Sequence, residues 1–377
     1  MRVALNLEQL LHPAPGGIGR QTAELARLLP ERGVDVVPFV ARHSRARVQE
    51  ALRAVDLGGL DPVVLPLPRP VLYDSWHVLG FPKLDHWRRL HGVDVVHAPS
   101  VAVPPRGRAP LVVTVHDAAP VLFPATFSAR GRWFHARGMA AAQKRAELVI
   151  TVSEAAAAEL VEHAGFPRDQ LRVVPNGVEL DEASEADVAT ARQKYGLEDA
   201  PYVLFVGTLE PRKNIGVLVD AFAKLTAETA LPHTLAVVGP EGWVSREAVP
   251  TEAAALGARL RMLGPVSGRD LWGLYRAAEV FAHPSRHEGF GIPVLEAMAQ
   301  RRAVVCSDIP VLREVSGGHA RFVPPDDADA WVGALVDLLG DSEARIRMGE
   351  AGREWAERFS WRRCADATAA VYGEVVR

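Results

Sequence analysis

The strongest constraint on the fold is an alternation of short apolar strands with helical patterns that runs along the whole chain. Apolar runs at residues 3–7, 111–115 and 280–283 each end in a turn rich in glycine, proline or polar residues. Strand, turn and helix in repeated order are typical of α/β folds with a parallel sheet. Since 377 residues are about twice a common domain length, the pattern predicts two α/β domains. An acidic stretch without apolar periodicity, at 179–185, predicts a linker and domain boundary at about 180–195.

Composition excludes several classes of protein. A net charge of −3 argues against a general nucleic-acid binder, and no apolar run reaches the roughly 18 residues of a membrane span. The chain opens on an apolar strand without a basic region, so we expect a cytoplasmic protein. Its two cysteines, Cys306 and Cys364, have no metal-binding or disulfide spacing. The residues before 180 carry 21 Lys and Arg against 17 Asp and Glu, which weakly favours an anionic acceptor or a membrane surface.

The most informative stretch is HPSRHEGFGIPVLEAMAQ, residues 283–300, with carboxylates at Glu288 and Glu296. Turn residues followed by an apolar run predict a loop entering a buried helix, with Pro293 near its first position. Free N–H groups at a helix start suit a phosphate, and glycines allow close approach. Carboxylates would repel phosphate, so they fit sugar or ribose hydroxyls better. The alternative to a binding role is that Glu288 is a solvent-exposed loop residue and that Glu296 is an acid in the first turn that interacts favourably with the helix dipole.

Three other segments place polar groups at strand ends. Gly16, Gly17 and Gly19 lie in a loop between the first strand and helix, where phosphates are often held, although the spacing is wrong for a dinucleotide fingerprint. The other two segments supply a His-Asp pair after the strand at 111–115 and a pair of cations in GTLEPRKN, which suit a diphosphate; these residues are His116, Asp117, Arg212 and Lys213. The alternatives are that the glycines form an ordinary turn and that the charged side chains are simply exposed to solvent. A basic helix at 128–145 fits either anionic lipid or a solvated face.

The string E-G-F-G-x-P-x-L-E-A-M-A resembles the signature of nucleotide-sugar-dependent glycosyltransferases of the GT-B fold, the retaining family 4. The other segments occur in the expected order, so the resemblance covers nearly the whole chain. It implies two Rossmann-like domains facing each other across a cleft. An N-terminal acceptor-binding domain would span 1–185 and a nucleotide-sugar-binding domain 186–360. A helix at 361–377 would cross back to the first domain.

The resemblance also implies roles for individual residues. The catalytic set would be His116, Arg212, Lys213 and Glu288. Donor contacts would come from the glycine loop, the GTLEPRKN turn, the backbone near the nucleobase and the signature helix: Gly16, Gly17, Gly19, Gly207, Thr208, Val266, Gly289, Phe290, Gly291, Ile292, Pro293 and Glu296. Asp117 would face the acceptor. No metal and no cofactor beyond the donor sugar are expected.

The resulting hypothesis is a retaining hexosyltransferase that uses a nucleoside diphosphate sugar, with GDP-mannose as the first choice of donor. Its acceptor would be a hydroxyl of a glycan, a lipid-linked glycan or a small molecule. One alternative is a UDP- or dTDP-sugar enzyme of antibiotic or secondary metabolite biosynthesis. Another is a nucleotide-sugar epimerase or hydrolase on the same scaffold, and a third is a non-catalytic binding module. Peripheral contact with the inner face of a membrane is a further expectation. The sequence leaves the oligomeric state open.

Overall fold

The computed structural model describes residues 1–12, 16–240, 253–266 and 268–376, and these fall into two compact units. The first unit comprises 1–177 together with 361–377, and the second comprises 178–360. Each unit is a parallel sheet with helices between its strands, so the predicted pair of Rossmann-like α/β domains is confirmed. The border between the units lies at Gly177 and Val178, somewhat before the predicted one at 185 and 186.

The first unit is built on a seven-stranded parallel sheet of order β3-β2-β1-β4-β5-β6-β7. Its strands are β1 Arg2–Asn6, β2 Asp35–Val40, β3 Val63–Val64, β4 Val95–Ala98, β5 Leu111–Thr114, β6 Leu148–Thr151 and β7 Leu171–Val173. Its helices are α1 Gly16–Leu28, α2 Arg45–Arg53, α3 Arg69–Val78, α4 Ala119–Leu122, α5 Ala129–Arg145 and α6 Glu154–Ala164. The strand order reverses between β1 and β4, which is where ligands bind in open α/β sheets.

The second unit contains a six-stranded parallel sheet, of order β10-β9-β8-β11-β12-β13 in the residues described. Its strands are β8 Tyr202–Val206, β9 Thr234–Val238, β10 Leu260–Gly264, β11 Val280–His283, β12 Ala303–Ser307 and β13 Arg321–Val323. Its helices are α7 Glu185–Tyr195, α8 Ile215–Glu228, α9 Ala253–Leu256, α10 Gly268–Ala277, α11 Ile292–Ala299, α12 Pro310–Ser316, α13 Ala328–Gly340 and α14 Ser342–Ala356. Here the strand order reverses between β8 and β11.

The final helix, α15 Trp361–Val376, returns to the first unit. It packs against α1 and β4, and the guanidinium of Arg20 lies 5.7 Å from the ring centre of Trp361. Its buried Tyr372 hydroxyl lies 2.7 Å from Nδ1 of His97 on β4, and Nε2 of that ring lies 2.9 Å from the Thr114 hydroxyl on β5. A buried chain of hydrogen bonds therefore ties the end of the chain to the middle of the first sheet.

The expected linker between the two domains is largely helical in the structure. The predicted linker at 180–195 contains α7, which begins at a Ser184 capping box with Asp187 and packs along α10. Its packing depends on small residues: a Cβ on Gly273 would lie 2.5 Å from the Asp187 carbonyl oxygen. With Ala191 as its one buried residue, α7 has almost no apolar periodicity. In the first unit, a single 3₁₀ turn at Leu84–His86 follows α3.

Candidate functional site

The loop after β8 begins the candidate site in the second unit. The Gly207 N–H donates to the Val238 carbonyl at 2.9 Å, and the chain then enters the 3₁₀ turn Pro211–Lys213. Asn214 ends that turn in the left-handed region (φ 54°) and starts α8. Its side-chain amide donates to the Pro325 carbonyl at 2.7 Å, which anchors the turn to the other side of the loop cluster. Arg212 and Lys213 therefore sit at the carboxyl edge of the sheet, as predicted.

The loop after β11 is tied directly to this turn. The Arg286 N–H donates to the Arg212 carbonyl at 2.9 Å, and Nη1 of Arg212 donates to the His287 carbonyl at 3.0 Å. Since β8 and β11 flank the point where the strand order reverses, both loops leave the sheet at the usual ligand edge. The two predicted motifs, distant in sequence, thus form one cluster at that edge.

At the centre of the cluster lies the buried carboxylate of Glu288. Nζ of Lys213 lies 2.6 Å from Oε1 and 2.7 Å from Oε2, and Nη1 of Arg212 lies 3.7 Å from Oε2. The other side of Arg212 is occupied as well, because Nη2 donates to Glu210 at 2.6 Å. Both predicted phosphate-binding cations are therefore held beside carboxylates in this structure.

Two neutral side chains form hydrogen bonds with Oε1 of the Glu288 carboxylate. His283, the last residue of β11, is fully buried between the rings of Phe205 and Phe281, and its Nε2 lies 2.7 Å from Oε1 of Glu288. The Ser285 hydroxyl donates to the same oxygen at 2.8 Å. Neither residue was a sequence candidate, although both lie in the quoted stretch at 283–300.

The charge state of this pair follows from its surroundings. Burial alone would raise the pKa of Glu288, but the charge of Lys213 and the contacts with His283 and Arg212 bring that pKa well below its usual value. Burial lowers the pKa of His283, against the opposing influence of Glu288. At neutral pH the site therefore contains a carboxylate that accepts a hydrogen bond from Nε2–H of a neutral imidazole.

We expect His283→Phe to lower turnover about tenfold while the ring stack with Phe205 and Phe281 is kept. The phenyl ring removes the N–H donor, so Glu288 would lose one of the groups that fix its direction and would depend more on Lys213. Steady-state kcat and KM for the donor sugar measure this effect. His233→Phe is the matched control, because it removes a similar contact with Glu279 (3.2 Å) elsewhere in the unit. If His283→Phe and wild type have equal kcat and KM, His283 does not orient the Glu288 carboxylate for catalysis.

The remaining signature residues form the turn into α11. Gly291 adopts a left-handed conformation (φ 97°) as the cap of this helix, and Ile292 and Pro293 form its first positions. Gly289 and Phe290 precede it, and the Phe290 ring is buried against Phe359. The predicted loop and helix entry are therefore confirmed.

Glu296 lies in the second turn of α11 and is 4% exposed. Its Oε2 accepts a hydrogen bond from the buried Tyr275 hydroxyl at 2.8 Å. Tyr275 comes from α10 and carried no signal in the sequence, because a tyrosine at helical spacing most often belongs to the core. The contact fixes one oxygen of the carboxylate.

Two more donor candidates lie at the edge of the same sheet. Thr208 follows Gly207, and its carbonyl accepts from the Glu210 N–H at 2.9 Å. Val266 is half-buried in the turn after β10, two residues beyond Gly264 (φ 69°). The Gly239 N–H donates to the Gly264 carbonyl at 2.9 Å, which joins the ends of β9 and β10. The candidate donor residues of this unit thus follow strands β8, β10 and β11.

In the first unit, His116 lies two residues after the end of β5 and is half-buried. Its Nε2 donates to the Pro99 carbonyl at 3.0 Å, and burial lowers the pKa of the ring. Asp117 accepts from the Ala119 N–H at 2.9 Å, just before α4 begins. The neutral His116 is fixed through one nitrogen by the end of the neighbouring strand β4.

The glycine loop of the first unit is described only in part, because Pro13, Ala14 and Pro15 of the predicted loop lie outside the described residues. Gly16 starts α1 in the left-handed region (φ 58°), Gly17 is exposed, and Gly19 is buried in the first turn. The predicted order of strand, connection and helix is therefore present, but the three glycines lie in the first turn of α1 and not in a loop before it.

Comparison with known proteins identifies relatives of both units. The family model described as glycosyl transferases group 1 matches residues 187–355, and the model described as glycosyltransferase family 4 matches 15–182. O-antigen chain mannosyltransferase B of Escherichia coli is 30% identical over 386 residues, which cover 99% of each chain. D-inositol 3-phosphate glycosyltransferase of Xylanimonas cellulosilytica is 31% identical over 399 residues, which cover 96% of this chain and 92% of the relative.

Solved structures show the same fold. Anabaena HepE in complex with UDP and glucose superimposes with a TM-score of 0.76 at 20% identity, over 99% of this chain and all of the other. Its resemblance extends over both units of the present chain. The predicted GT-B fold is therefore confirmed by structural likeness as well as by sheet topology.

Proposed function

The chain belongs to the group 1 glycosyltransferases, family 4, and from this premise we propose that it moves a hexosyl group from a nucleoside diphosphate sugar to a hydroxyl acceptor. The proposed donor is GDP-mannose. This choice is supported by the full-length similarity to a protein named as a mannosyltransferase and by the TVHD and GTLEPRKN strings. The proposed acceptor is a glycan or lipid-linked glycan.

The observation that carries the proposal is the cluster of Arg212 and Lys213 beside Glu288 and the start of α11. In a transfer from a nucleoside diphosphate sugar, negative charge grows on the leaving diphosphate as the glycosidic bond breaks. Two cations and the positive end of a helix dipole are suited to stabilising that charge. No metal ion is required in the proposed reaction, since these groups supply the positive charge.

A change of partners is part of the proposed mechanism. When the diphosphate binds, Lys213 would turn from Glu288 to the phosphate oxygens, and Glu288 would turn its freed Oε2 to hydroxyls of the transferred sugar. His283 and Ser285 would keep hold of Oε1 throughout. Glu296 would accept a hydrogen bond from a ribose hydroxyl.

We further propose that the configuration at the anomeric carbon is retained. The acceptor hydroxyl would attack from the face that the diphosphate leaves, and a phosphate oxygen would take the acceptor proton. His116 would hydrogen-bond the sugar or acceptor through its Nδ1, since its Nε2 is committed to Pro99. The proposed location is the cytoplasm, with peripheral contact at the inner face of the membrane.

A nucleotide screen tests the proposed donor. GDP is expected to raise the melting temperature more than UDP, dTDP or ADP at equal concentration, because a ligand that binds the native state stabilises it by mass action. A larger shift with UDP or dTDP would overturn GDP-mannose and favour the alternative donors. Product analysis with donor alone and with glycan acceptors then separates transfer from epimerisation or hydrolysis, and the anomeric configuration of the product tests retention.

A further inference from the structure

The first unit exposes four apolar side chains within eleven residues at α3 and the turn that follows it. Val71, Val78, Leu79 and Phe81, here called the α3 ridge, are 52, 55, 75 and 57% exposed. Val71 and Val78 are seven residues apart and therefore lie on one side of the helix. The Phe81 N–H lies 3.4 Å from the Ser75 carbonyl, so the turn folds back over the last turn of α3. The side chains thus form one surface.

This ridge differs from the ordinary exposed apolar residues of a globular protein. The opposite side of α3 packs Leu72 and Trp76 into the core, both fully buried, so the helix already has its inward face. Elsewhere in the described residues, large exposed apolar side chains such as Val161, Met262 and Ile346 are isolated from one another in sequence. Single exposed apolar residues need no explanation, whereas a cluster marks an interaction surface.

Cations outnumber acids in the segments that contain and flank the ridge. Helix α5 packs beside α3, and Nη2 of Arg130 donates to Asp74 at 2.7 Å, on the side of α3 that carries Val71 and Val78. Residues 69–91 and 128–145 together contain nine Lys and Arg against two acids, in a chain whose net charge is −3. Lys83 and Arg88, both exposed, directly follow the ridge. The local charge is therefore opposite to that of the chain as a whole.

We propose that the α3 ridge inserts into the interface of an anionic lipid membrane, with the surrounding cations on the lipid headgroups. Apolar side chains flanked by Lys and Arg are the combination that binds such surfaces, since apolar burial and headgroup attraction add. The inference rests on the proposed function with a lipid-linked glycan as the acceptor, and it assigns the surface on which the enzyme would meet that acceptor. It places the apolar part of the contact on α3, beside the basic helix α5, for which the sequence left lipid contact and a solvated face open.

A second copy of this chain fits the ridge less well. A symmetric dimer through the ridge would bring its cation-rich surroundings against themselves, and like charges across an interface repel. Protein interfaces are moreover depleted in lysine at their centres. No helix in the described part of the chain has the length and apolar character to cross a membrane.

Vesicle sedimentation tests the proposal. The full chain is expected to sediment with vesicles of equal parts phosphatidylcholine and phosphatidylglycerol and to stay in the supernatant with phosphatidylcholine alone. Leu79→Ser with Phe81→Ser should weaken binding about tenfold or more, and Lys83→Glu with Arg88→Glu should weaken it by a similar order. Ile346→Ser is the matched control, because that residue is 64% exposed but isolated on α14. Its binding should equal wild type.

The vesicle-binding results can overturn the proposed membrane contact in two ways. Unchanged binding in both ridge and charge variants, or no binding of the wild-type chain to anionic vesicles, would overturn the proposal. Dimerisation of the wild type that the ridge variant abolishes would instead identify a second copy as the occupant. Nucleotide-induced melting shifts, measured on the same variants, report on the donor site and on folding. Vesicle binding without any nucleotide shift would therefore overturn the proposed function and leave the membrane surface standing.

Discussion

Lys213→Ala is expected to lower kcat about a hundredfold or more, as the loss of one charge-stabilising donor does in other enzymes. The variant is also expected to be destabilised by about 3–5 kcal/mol, because it leaves the Glu288 carboxylate buried without its nearest cation. Lys213 lies 2.6 and 2.7 Å from the two oxygens of that carboxylate, and both side chains are largely buried. Steady-state kinetics and urea unfolding measure the two effects separately.

Two further variants separate charge balance from catalysis. Lys213→Ala with Glu288→Gln removes both charges and should recover much of the lost stability, whereas activity should stay low. Lys224→Ala removes a lysine whose partner, Asp329, is exposed, and should change stability by less than about 1 kcal/mol. Wild-type turnover in Lys213→Ala would remove this residue from the proposed mechanism, and failure of the double variant to regain stability would refute the charge-balance argument.

Gly239→Ala is expected to destabilise the protein by about 3 kcal/mol or more and to abolish the nucleotide-induced melting shift. Gly239 has φ 148°, which side chains rarely adopt, and a Cβ there would lie 1.9 Å from the Gly207 carbonyl oxygen. Relief of that clash would move Gly207 and Thr208, which lead into the cationic turn. Urea unfolding and a melting-temperature series with GDP measure the two consequences.

Gly333→Ala is the matched control for this substitution. Gly333 lies on the exposed side of α13, and a Cβ there would meet no atom within 4 Å. Alanine favours a helix interior over glycine, so this variant should be more stable than wild type by up to about 1 kcal/mol. Unchanged nucleotide binding and stability in Gly239→Ala would show that the end of β9 tolerates a side chain and does not position the donor loop.

The sequence predicted the architecture and the cationic cluster because both depend on local patterns. Apolar strands followed by turns and helices locate the carboxyl edge of each parallel sheet. Polar residues that directly follow different strands are therefore expected to lie close together at that edge. Arg212 and Lys213 were found in this way. Glu288 was identified from the signature stretch and assigned to sugar hydroxyls by the family resemblance, whereas the structure places it beside Lys213.

Other features could not be read from the sequence, since they depend on tertiary contacts. Tyr275 reaches Glu296 from a different helix. Nothing in the sequence around His283 indicates its contact with Glu288, which the structure shows at 2.7 Å. Helix α7 was mistaken for a linker because it packs on α10 through a glycine and an alanine, which leave almost no apolar periodicity.

The return of α15 to the first unit affects how the protein is made on the ribosome. The second unit is complete at Ser360, whereas the first unit lacks one of its helices until Val376 has been synthesised. The His97 ring therefore cannot form its hydrogen bond with the Tyr372 hydroxyl until the 274 intervening residues have been synthesised. A nascent chain that stops before α15 leaves the first sheet with a buried imidazole that has lost a partner, because α15 completes a unit whose strands are synthesised before the second unit.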